Sequence, residues 1–499
     1  MFDVDAFLQA TQLVIDWWMV PLVVFGVFWG IVFSAIPGLS GSTGMAVLLP
    51  FCFTLGPLYG LVLLLGVYTG AMWGGAIPAI LINTPGSAPA IFTGLDGYPM
   101  ARQGKASEAL GMSIMASVAG GLVGSLALMV IIFPLASVTL RFGPPEMFMV
   151  AIFGLTIVSA LAGKAFSKAL LAGMFGMFLG MVGLSHTGTM RATFGSVDLL
   201  DGIPLMPVLI GMVAMPELFN LMARSSTKLS VDGQLPSLRR VWQGCVQTLQ
   251  RPKILLQSSF VGLFVGALPG TGGDVASIVA YNESRRLSDR PDLYGKGNPD
   301  GLIAAEAANN SQEGGAIATM LALGFPGSSG TAVLLGALIM QGWVPGPRLF
   351  TENAPIVYAA ILSTFFSLFA LLALGILMCG VGARISRAPA KIVVPCIVVL
   401  TFIGAYVIRS SLFDVMILFV FGLLGWAMRR RGYPPAAVIL GLVLGPMADA
   451  ELVRIYQSFP EGIWAIFTRP ISGLMAAVVA FFLLRSLFKT LTVRRAPTG

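Results

Sequence analysis

The sequence predicts an all-α polytopic membrane protein built as two inverted repeats with broken helices or re-entrant hairpins. Three observations carry that reading. The 499 residues are 56% hydrophobic and 10% charged, with a mean hydropathy of +0.88, whereas soluble domains carry about 25% charged residues. Apolar runs such as residues 204–215 and 361–381 are continuous rather than alternating, which argues against an outer-membrane barrel. Glycine-rich motifs recur in the same order in the two halves of the chain. At roughly 20 apolar residues per crossing plus loops, the length accommodates about ten to fourteen membrane segments.

Charge sets the expected orientation, because cytoplasmic loops collect Lys and Arg. Asp3, Asp5 and Asp16 precede the first basic residue, Arg102. This places the N-terminus outside, in the periplasm, and leaves no basic n-region of a signal peptide. The run 17–36 then starts outside and ends inside. Lys164 and Lys168 separate the apolar runs 146–162 and 169–184. Arg224, Lys228, Arg239, Arg240, Arg251 and Lys253 mark a cytoplasmic linker. Arg384, Arg387 and Lys391 form a further basic turn, and Arg429, Arg430 and Arg431 another. Arg485, Lys489, Arg494 and Arg495 put the C-terminus in the cytoplasm. The acidic or weakly charged stretches 198–201 and 449–461 read as exterior turns. The expected organisation is a first repeat over 1–225, a cytoplasmic linker over 226–251, a second repeat over 252–450, and an extra membrane helix with a cytoplasmic tail over 451–499.

The net charge of +8 follows from those loops rather than from nucleic-acid binding. The four cysteines, Cys52, Cys245, Cys379 and Cys396, show no CxxC spacing, and His186 is the single histidine. A disulfide framework, a zinc site and a histidine cluster are therefore unsupported. No cofactor is expected beyond a coupling Na⁺ or H⁺.

The repeat rests on three matches that keep their order and nearly keep their spacing. Ile36-Pro37-Gly38-Leu39-Ser40-Gly41 aligns with Leu268-Pro269-Gly270-Thr271-Gly272-Gly273. Gly74-Gly75-Ala76-Ile77 aligns with Gly314-Gly315-Ala316-Ile317, and Thr84-Pro85-Gly86-Ser87 with Phe325-Pro326-Gly327-Ser328. The charge markers run in opposite senses in the two halves, so the repeats read as inverted, a hallmark of secondary transporters.

Each Pro-Gly motif interrupts an apolar run. Proline lacks the backbone donor and glycine leaves helical geometry readily, so each should break a helix. The helix restarted after a break presents free N–H groups and a positive dipole end to a carboxylate. Hydroxyls and freed carbonyls suit a hard cation. Irregular backbone at membrane depth is tolerated only where protein or a water-filled cavity surrounds it, so the four breaks should meet. The candidate substrate-binding residues are Pro37, Gly38, Ser40, Gly41, Ser42 and Thr43 in the first break, and Asn83, Thr84, Pro85, Gly86 and Ser87 in the second. The third contributes Pro269, Gly270, Thr271, Gly272 and Gly273, and the fourth Pro326, Gly327, Ser328 and Ser329. Acids within membrane segments mark ion pathways. Asp274 and Glu306, with the adjoining Asn309 and Asn310, are the ion-coupling candidates. Glu283, followed by Arg285 and Arg286, reads as a solvated face.

These same segments closely resemble the large membrane subunit of the tripartite tricarboxylate transporter family. The resemblance is carried by IPGLSGSTGMAVLLPF at 36–51, the stretch 83–111 containing Gly94-Leu95-Asp96-Gly97-Tyr98-Pro99-Met100-Ala101, FGPPE at 142–146, DLLDGIPLMPVLIG at 198–211, and the stretches 266–281 and 304–350. Ala305, Asp274, Asn282-Glu283 and Ser311-Gln312-Glu313 depart from the family pattern. The resemblance implies a multi-pass secondary transporter of the bacterial inner membrane. It implies import of small organic carboxylates such as citrate on a cation gradient, with a small membrane subunit and a periplasmic solute-binding protein as partners.

Two other readings compete. Gly38-Leu39-Ser40-Gly41 fits the GxSG of an intramembrane serine protease, but that chemistry needs a histidine base, and His186 falls in an expected exterior turn. A solitary carboxylate transporter or exporter would carry the same site without partners. No GxxxxGK[ST] phosphate loop is present, so transport does not draw on ATP bound by this chain.

Overall fold

The computed structural model describes residues 4–161, 165–185, 187–223, 237–268, 272–343, 345–386 and 388–493. Pro269, Gly270, Thr271 and His186, and the side chain of Asp274, lie outside the described residues.

The chain is helical nearly throughout. The first half contains α1 (Val4–Val14), α2 (Met19–Ala35), α3 (Gly41–Thr54), α4 (Pro57–Gly74), α5 (Ala76–Ile82), α6 (Ala90–Met100), α7 (Ala106–Thr139), α8 (Pro144–Leu161), α9 (Phe166–Gly180) and α10 (Leu205–Ala223). The second contains α11 (Leu238–Leu249), α12 (Pro252–Gly266), α13 (Gly272–Arg286), α14 (Pro299–Leu323), α15 (Ser329–Met340), α16 (Pro347–Glu352), α17 (Ala354–Ile385), α18 (Ala390–Arg409), α19 (Leu412–Arg430) and α20 (Pro435–Ser458). α21 (Ala465–Thr468) and α22 (Pro470–Val493) follow. A two-residue antiparallel pairing of Gly183–Leu184 with Met190–Arg191 is the sheet among the described residues.

Among the described residues, seven helices are long and apolar enough to cross a membrane, or up to nine if each of two bent pairs is one span. Gly41–Thr54, Pro144–Ala160, Phe166–Gly180, Pro252–Gly266 and Ser329–Met340 are shorter apolar helices. One sequence expectation changes. Residues 449–461 are mostly not a turn, because α20 continues to Ser458: Ala448, Glu451 and Ile455 keep one buried face at helical spacing. The amphipathic α11 lies within the stretch 226–251.

The chain folds into two compact units, each taking parts of both halves. One comprises Met1–Ser137 with Val213–Ser411, and the other Val138–Met212 with Leu412–Gly499. In the smaller unit α9 and α20 approach closely: a Cβ at Gly180 would lie 2.5 Å from Leu442 O, and one at Gly445 2.6 Å from Met177 O. Arg469 Nε lies 2.6 Å from the buried Glu146 carboxylate, and Arg191 Nη1 2.7 Å from Asp449.

The larger unit holds all four breaks. α2 ends before Pro37, and Gly38 takes φ +96°, a conformation that favours glycine. Ser40 then caps α3, its side chain accepting from Thr43 N. α5 ends on Asn83 in the left-handed region. α14 ends on Gly324 at φ +75°, and Ser328 opens α15 with a reciprocal capping box to Thr331.

The repeat is visible in contacts as well as in helix order. A Cβ at Gly30 of α2 would run into Val67 O of α4, and one at Gly262 of α12 into Ala308 O of α14. Gly74 meets Ile31 O as Gly315 meets Leu263 O. A Cβ at Gly86 would lie 2.9 Å from Gly75 Cα and overlap Ser34 O; one at Gly327 would lie 3.0 Å from Ala316 Cα and 2.8 Å from Gly266 O. These pairs fix the register between the halves, with Gly30 of α2 equivalent to Gly262 of α12 and Gly74 of α4 equivalent to Gly315 of α14. The match of Gly74 with Gly314 drawn from sequence is therefore displaced by one: in its packing, Gly74 corresponds to Gly315 and Gly75 to Ala316. The identical Gly-Gly-Ala-Ile runs at 74–77 and 314–317 favour the other register by sequence alone.

Candidate functional site

The breaks meet around α4 and α14. The first and second approach at Gly75, where a Cβ would lie 2.5 Å from Ser87 Oγ and 3.1 Å from Ser34 Oγ. The second and third approach at Gly273, whose added Cβ would lie 3.1 Å from Pro89 and would overlap Asn309 Oδ1. The third and fourth are joined by the Gly272 N–H, which donates to Gly327 O at 2.8 Å. α3 and α15, the helices restarted by the first and fourth breaks, pack on each other.

Of the sequence candidates, Gly41, Ser42, Thr43, Gly86, Gly273, Pro326 and Gly327 are buried, whereas Asn83 and Ser329 are exposed. Pro37, Gly38, Ser40, Thr84, Pro85, Ser87, Gly272 and Ser328 are partly buried. Asn83 and Thr84 serve the turn itself: Thr84 N–H donates to Pro78 O at 3.2 Å, and Thr84 Oγ1 to Ile82 O. The structure thus turns Asn83 and Ser329 away from the packed meeting point and holds Ser87 and Ser328 at it.

α14 supplies a polar stripe, with Glu306, Asn309, Asn310 and Glu313 at the i, i+3, i+4, i+7 spacing of one helix face. Every residue from Gly301 to Ala322 on this helix is buried. Thr93 of α6 donates to Glu306 Oε1, and Ser117 of α7 donates to Oε2 at 2.6 Å. Thr69 of α4 donates to Glu313 Oε1 at 2.7 Å. Asn309 Nδ2 donates to Met72 O at 2.7 Å, and Gln312 Nε2 to the Tyr68 hydroxyl at 3.0 Å. That hydroxyl lies 2.9 Å from Ser328 Oγ, carrying the network to the fourth break.

Several atoms of this network lack partners among the described residues: Ser34 Oγ, Ser87 Oγ, Asn309 Oδ1, Gln312 Oε1 and both polar atoms of Asn310. Buried polar groups are normally hydrogen-bonded, and each exception needs an explanation. For Asn310 the repeat offers one. In the register that makes Gly74 equivalent to Gly315, Asn310 corresponds to Thr69 and Glu313 to Met72. The counterpart of the Thr69–Glu313 pair therefore sets an amide against a thioether, which is a weak acceptor.

Two further carboxylates were not singled out by sequence. Glu217 of α10 accepts the Ser40 N–H at 2.9 Å and the Thr43 hydroxyl, so an acidic side chain already sits on the N-terminus of α3. Asp96 of α6 is fully buried. Its Oδ1 accepts N–H bonds from Gly295 at 2.8 Å, Gly297 at 2.9 Å and Asn298 at 2.8 Å, and its Oδ2 accepts the Tyr281 hydroxyl at 2.8 Å. In the same connection Tyr294 lies 2.6 Å from Ser284 Oγ, and burial pushes its phenol above the ordinary value. Glu283 is half-buried, 2.6 Å from the exposed Arg286. Among the described residues no group of three or more His, Cys, Asp and Glu could hold a metal ion.

The breaks thus meet at a buried polar centre in which several atoms lack partners among the described residues. The model of the tripartite tricarboxylate transporter TctA family matches residues 20–440. The chain belongs to that family. An uncharacterized 52.8 kDa protein from the TAR-I ttuC' 3' region of Agrobacterium vitis is 34% identical over 455 residues, covering 91% of this chain and 90% of that protein. An uncharacterized protein from the TAR-II ttuC' 3' region of the same organism is 32% identical over 225 residues, covering 44% of this chain and 93% of the relative. No solved structure matches. Membership makes the chain a multi-pass component of a tripartite tricarboxylate transport system. The stripe on α14 lies inside the matched region, as do all four breaks, Glu217 and Asp96.

Glu217 and Tyr68 escaped sequence reading because their partners are remote: Ser40 lies 177 residues from Glu217, and Ser328 lies 260 residues from Tyr68. Asp96 stood within the quoted Gly94–Ala101 motif, but nothing in that motif names the connection it holds.

Proposed function

We propose that this chain is the large membrane subunit of a tripartite importer of small di- or tricarboxylates such as citrate, driven by a Na⁺ or H⁺ gradient. The observation that carries the reading is the convergence of the breaks on buried polar atoms without partners. The hydroxyls of Ser34 and Ser87 offer to donate to a solute carboxylate, the unpartnered amide oxygens of Asn309 and Gln312 to accept from a solute hydroxyl or to coordinate the cation, and the N-terminus of α15 at Ser328 adds its dipole. Glu306 and Asn310, with Glu313, would carry or coordinate the coupling ion, because buried acids at membrane depth are costly unless they serve such a role. Asp274, Pro269, Gly270 and Thr271 belong to the same proposed site on sequence grounds. Glu217 already fills the N-terminus of α3, which directs the solute towards the fourth break.

In this reading the halves are inverted repeats, and transport moves one part of the bundle against another around the breaks. The N-terminus is periplasmic and the C-terminus cytoplasmic in a bacterial inner membrane. The partners are a small membrane subunit and a periplasmic solute-binding protein, and the chain is not an enzyme.

The test is uptake of labelled citrate and other di- and tricarboxylates into vesicles holding the assembled system, with and without Na⁺ and proton gradients. Gradient-driven uptake is expected for the parent. Glu306→Gln preserves size and one acceptor, so it should fold but lose dependence on the gradient. Passive, gradient-independent flux in the parent would remove the coupling proposal. Full coupled uptake in Glu306→Gln and in Asn309→Ala together would remove the site.

A further inference from the structure

We infer that α11 is an interfacial helix that docks on an anionic lipid surface, its exposed apolar stripe in the acyl boundary and its arginines at the headgroups. The helix carries three faces. Val241, Gly244, Cys245 and Thr248 are buried. They lie against the start of α7: Cys245 Sγ donates to Gly111 O at 3.3 Å, Thr248 Oγ1 to Met112 O at 3.4 Å, and Ser237 N–H to Ser107 Oγ at 3.1 Å. Leu238, Trp242, Val246 and Leu249 form a second stripe, spaced by three or four residues, and are 55%, 56%, 40% and 55% exposed. Arg239, Arg240, Gln243 and Gln247 fall on the remaining sector of the wheel.

A helix in a soluble protein needs one apolar face, the one it buries. Here a second apolar stripe borders a basic, amide-rich sector, the pattern of a helix lying in the membrane interface. Two observations identify the occupant as lipid. The stripe is continued on α12 by Leu256, Phe260 and Phe264, which are spaced by four and are 50%, 51% and 71% exposed. The corner between the helices is fixed by Arg251, whose Nη1 donates to Gln247 O at 2.9 Å and whose Nε pairs with Asp300 at 3.0 Å. The local charge is also basic: Arg239 and Arg240 on α11, Lys253 at the start of α12, and Arg102 and Lys105 just before α7 are all exposed. Anionic headgroups complement that charge, each basic residue near such a surface strengthening attachment several-fold.

The experiment uses the full chain reconstituted in phosphatidylcholine vesicles with phosphatidylglycerol. Cys396, the exposed cysteine, is replaced by serine, and a bimane fluorophore is attached at Trp242→Cys or, separately, at Gln243→Cys. Brominated lipids should quench the label at 242 and spare that at 243, while aqueous iodide should do the reverse. Brominated phosphatidylglycerol should quench position 242 more strongly than brominated phosphatidylcholine. Arg239→Gln with Arg240→Gln should lower that preference by about tenfold or more. Iodide quenching at 242 as strong as at 243 would overturn the inference in favour of a solvated helix. Protection of 242 from both reagents would overturn it in favour of a protein contact. Equal quenching by the two lipids would overturn the charge selectivity.

Discussion

Removing the Asp96 carboxylate should release the connection between α13 and α14 while leaving most of the bundle intact. The carboxylate accepts three backbone N–H groups through Oδ1 and the Tyr281 hydroxyl through Oδ2, and it is fully buried. Asp96→Ala deprives four donors of their acceptor. At about 1 kcal/mol or more for each donor left unsatisfied, the loss is about 4 kcal/mol. Asp96→Asn keeps an oxygen for the three N–H groups, and the Tyr281 hydroxyl can turn to accept from the new amide. What disappears is charge assistance, about 1 kcal/mol per N–H bond and about 3 kcal/mol in all. Hydrogen exchange reads this directly. If the amides of Gly295, Gly297 and Asn298 exchange through local opening, about 3 kcal/mol corresponds to roughly 100-fold faster exchange in the asparagine variant, and more in the alanine variant. Thermal unfolding of the purified protein in detergent should fall in the same order. Asp292→Ala, at an exposed position in the same connection, is the control and should change neither. Parental exchange at residues 295–298 in Asp96→Ala would show that the carboxylate is not what holds the connection.

Glu217→Ala should leave the Ser40 N–H without its acceptor at the start of α3, costing about 1–2 kcal/mol in unfolding experiments; unchanged stability would mean that water replaces the carboxylate fully. Gly30→Val should prevent correct assembly, because even a Cβ at Gly30 runs into Val67 O and lies 2.8 Å from Ala71 N. Gly104→Ala should cost only about 1 kcal/mol, since its φ is +80° but nothing lies within 4 Å of the added carbon; size-exclusion profiles of the two variants that match each other would contradict this. Tyr294 supplies a pH test. Its folded phenol titrates above the ordinary value, so its contribution to stability is present below about pH 10 and is lost as pH rises through the folded value. Tyr294→Phe should therefore be less stable than the parent at neutral pH, with the gap narrowing at alkaline pH; a gap that widens there reverses the sign of the argument. Glu283→Gln should leave stability unchanged, as expected for an exposed i,i+3 ion pair, and a clear loss would assign that pair a structural role.

The breaks were readable because proline and glycine act locally. Pro37, Gly38 and Gly324 end or redirect helices whatever surrounds them, and Ser40 and Ser328 cap the helices that follow by contacts to residues three positions away. The order of the repeat was equally readable, because motif and spacing both lie along the chain. What could not be read depends on approach between distant segments. The identical Gly-Gly-Ala-Ile runs point to a register of α4 against α14 that backbone contacts displace by one position. The run to Ser458 was hidden by Asp449 and Glu451, whose charges suggested a turn; Arg191 and Arg454 pair with them and so let the helix continue. Asn83 and Ser329 had the right chemistry in the right motifs, but their orientation is a property of the folded turn.

In the shared register of their contacts, the two halves differ in length at one place. The stretch from Gly262 to Gly315 is longer than its equivalent from Gly30 to Gly74, and the added length falls between α13 and α14, in the connection that Asp96 grips. Where the first half passes from Thr54 to Pro57 in a tight corner, the second carries an extended loop whose backbone N–H groups close on a carboxylate from the other half. That longer connection is a clasp between the halves, holding α6 of one to the connection of the other. Neither half would retain this clasp if expressed alone.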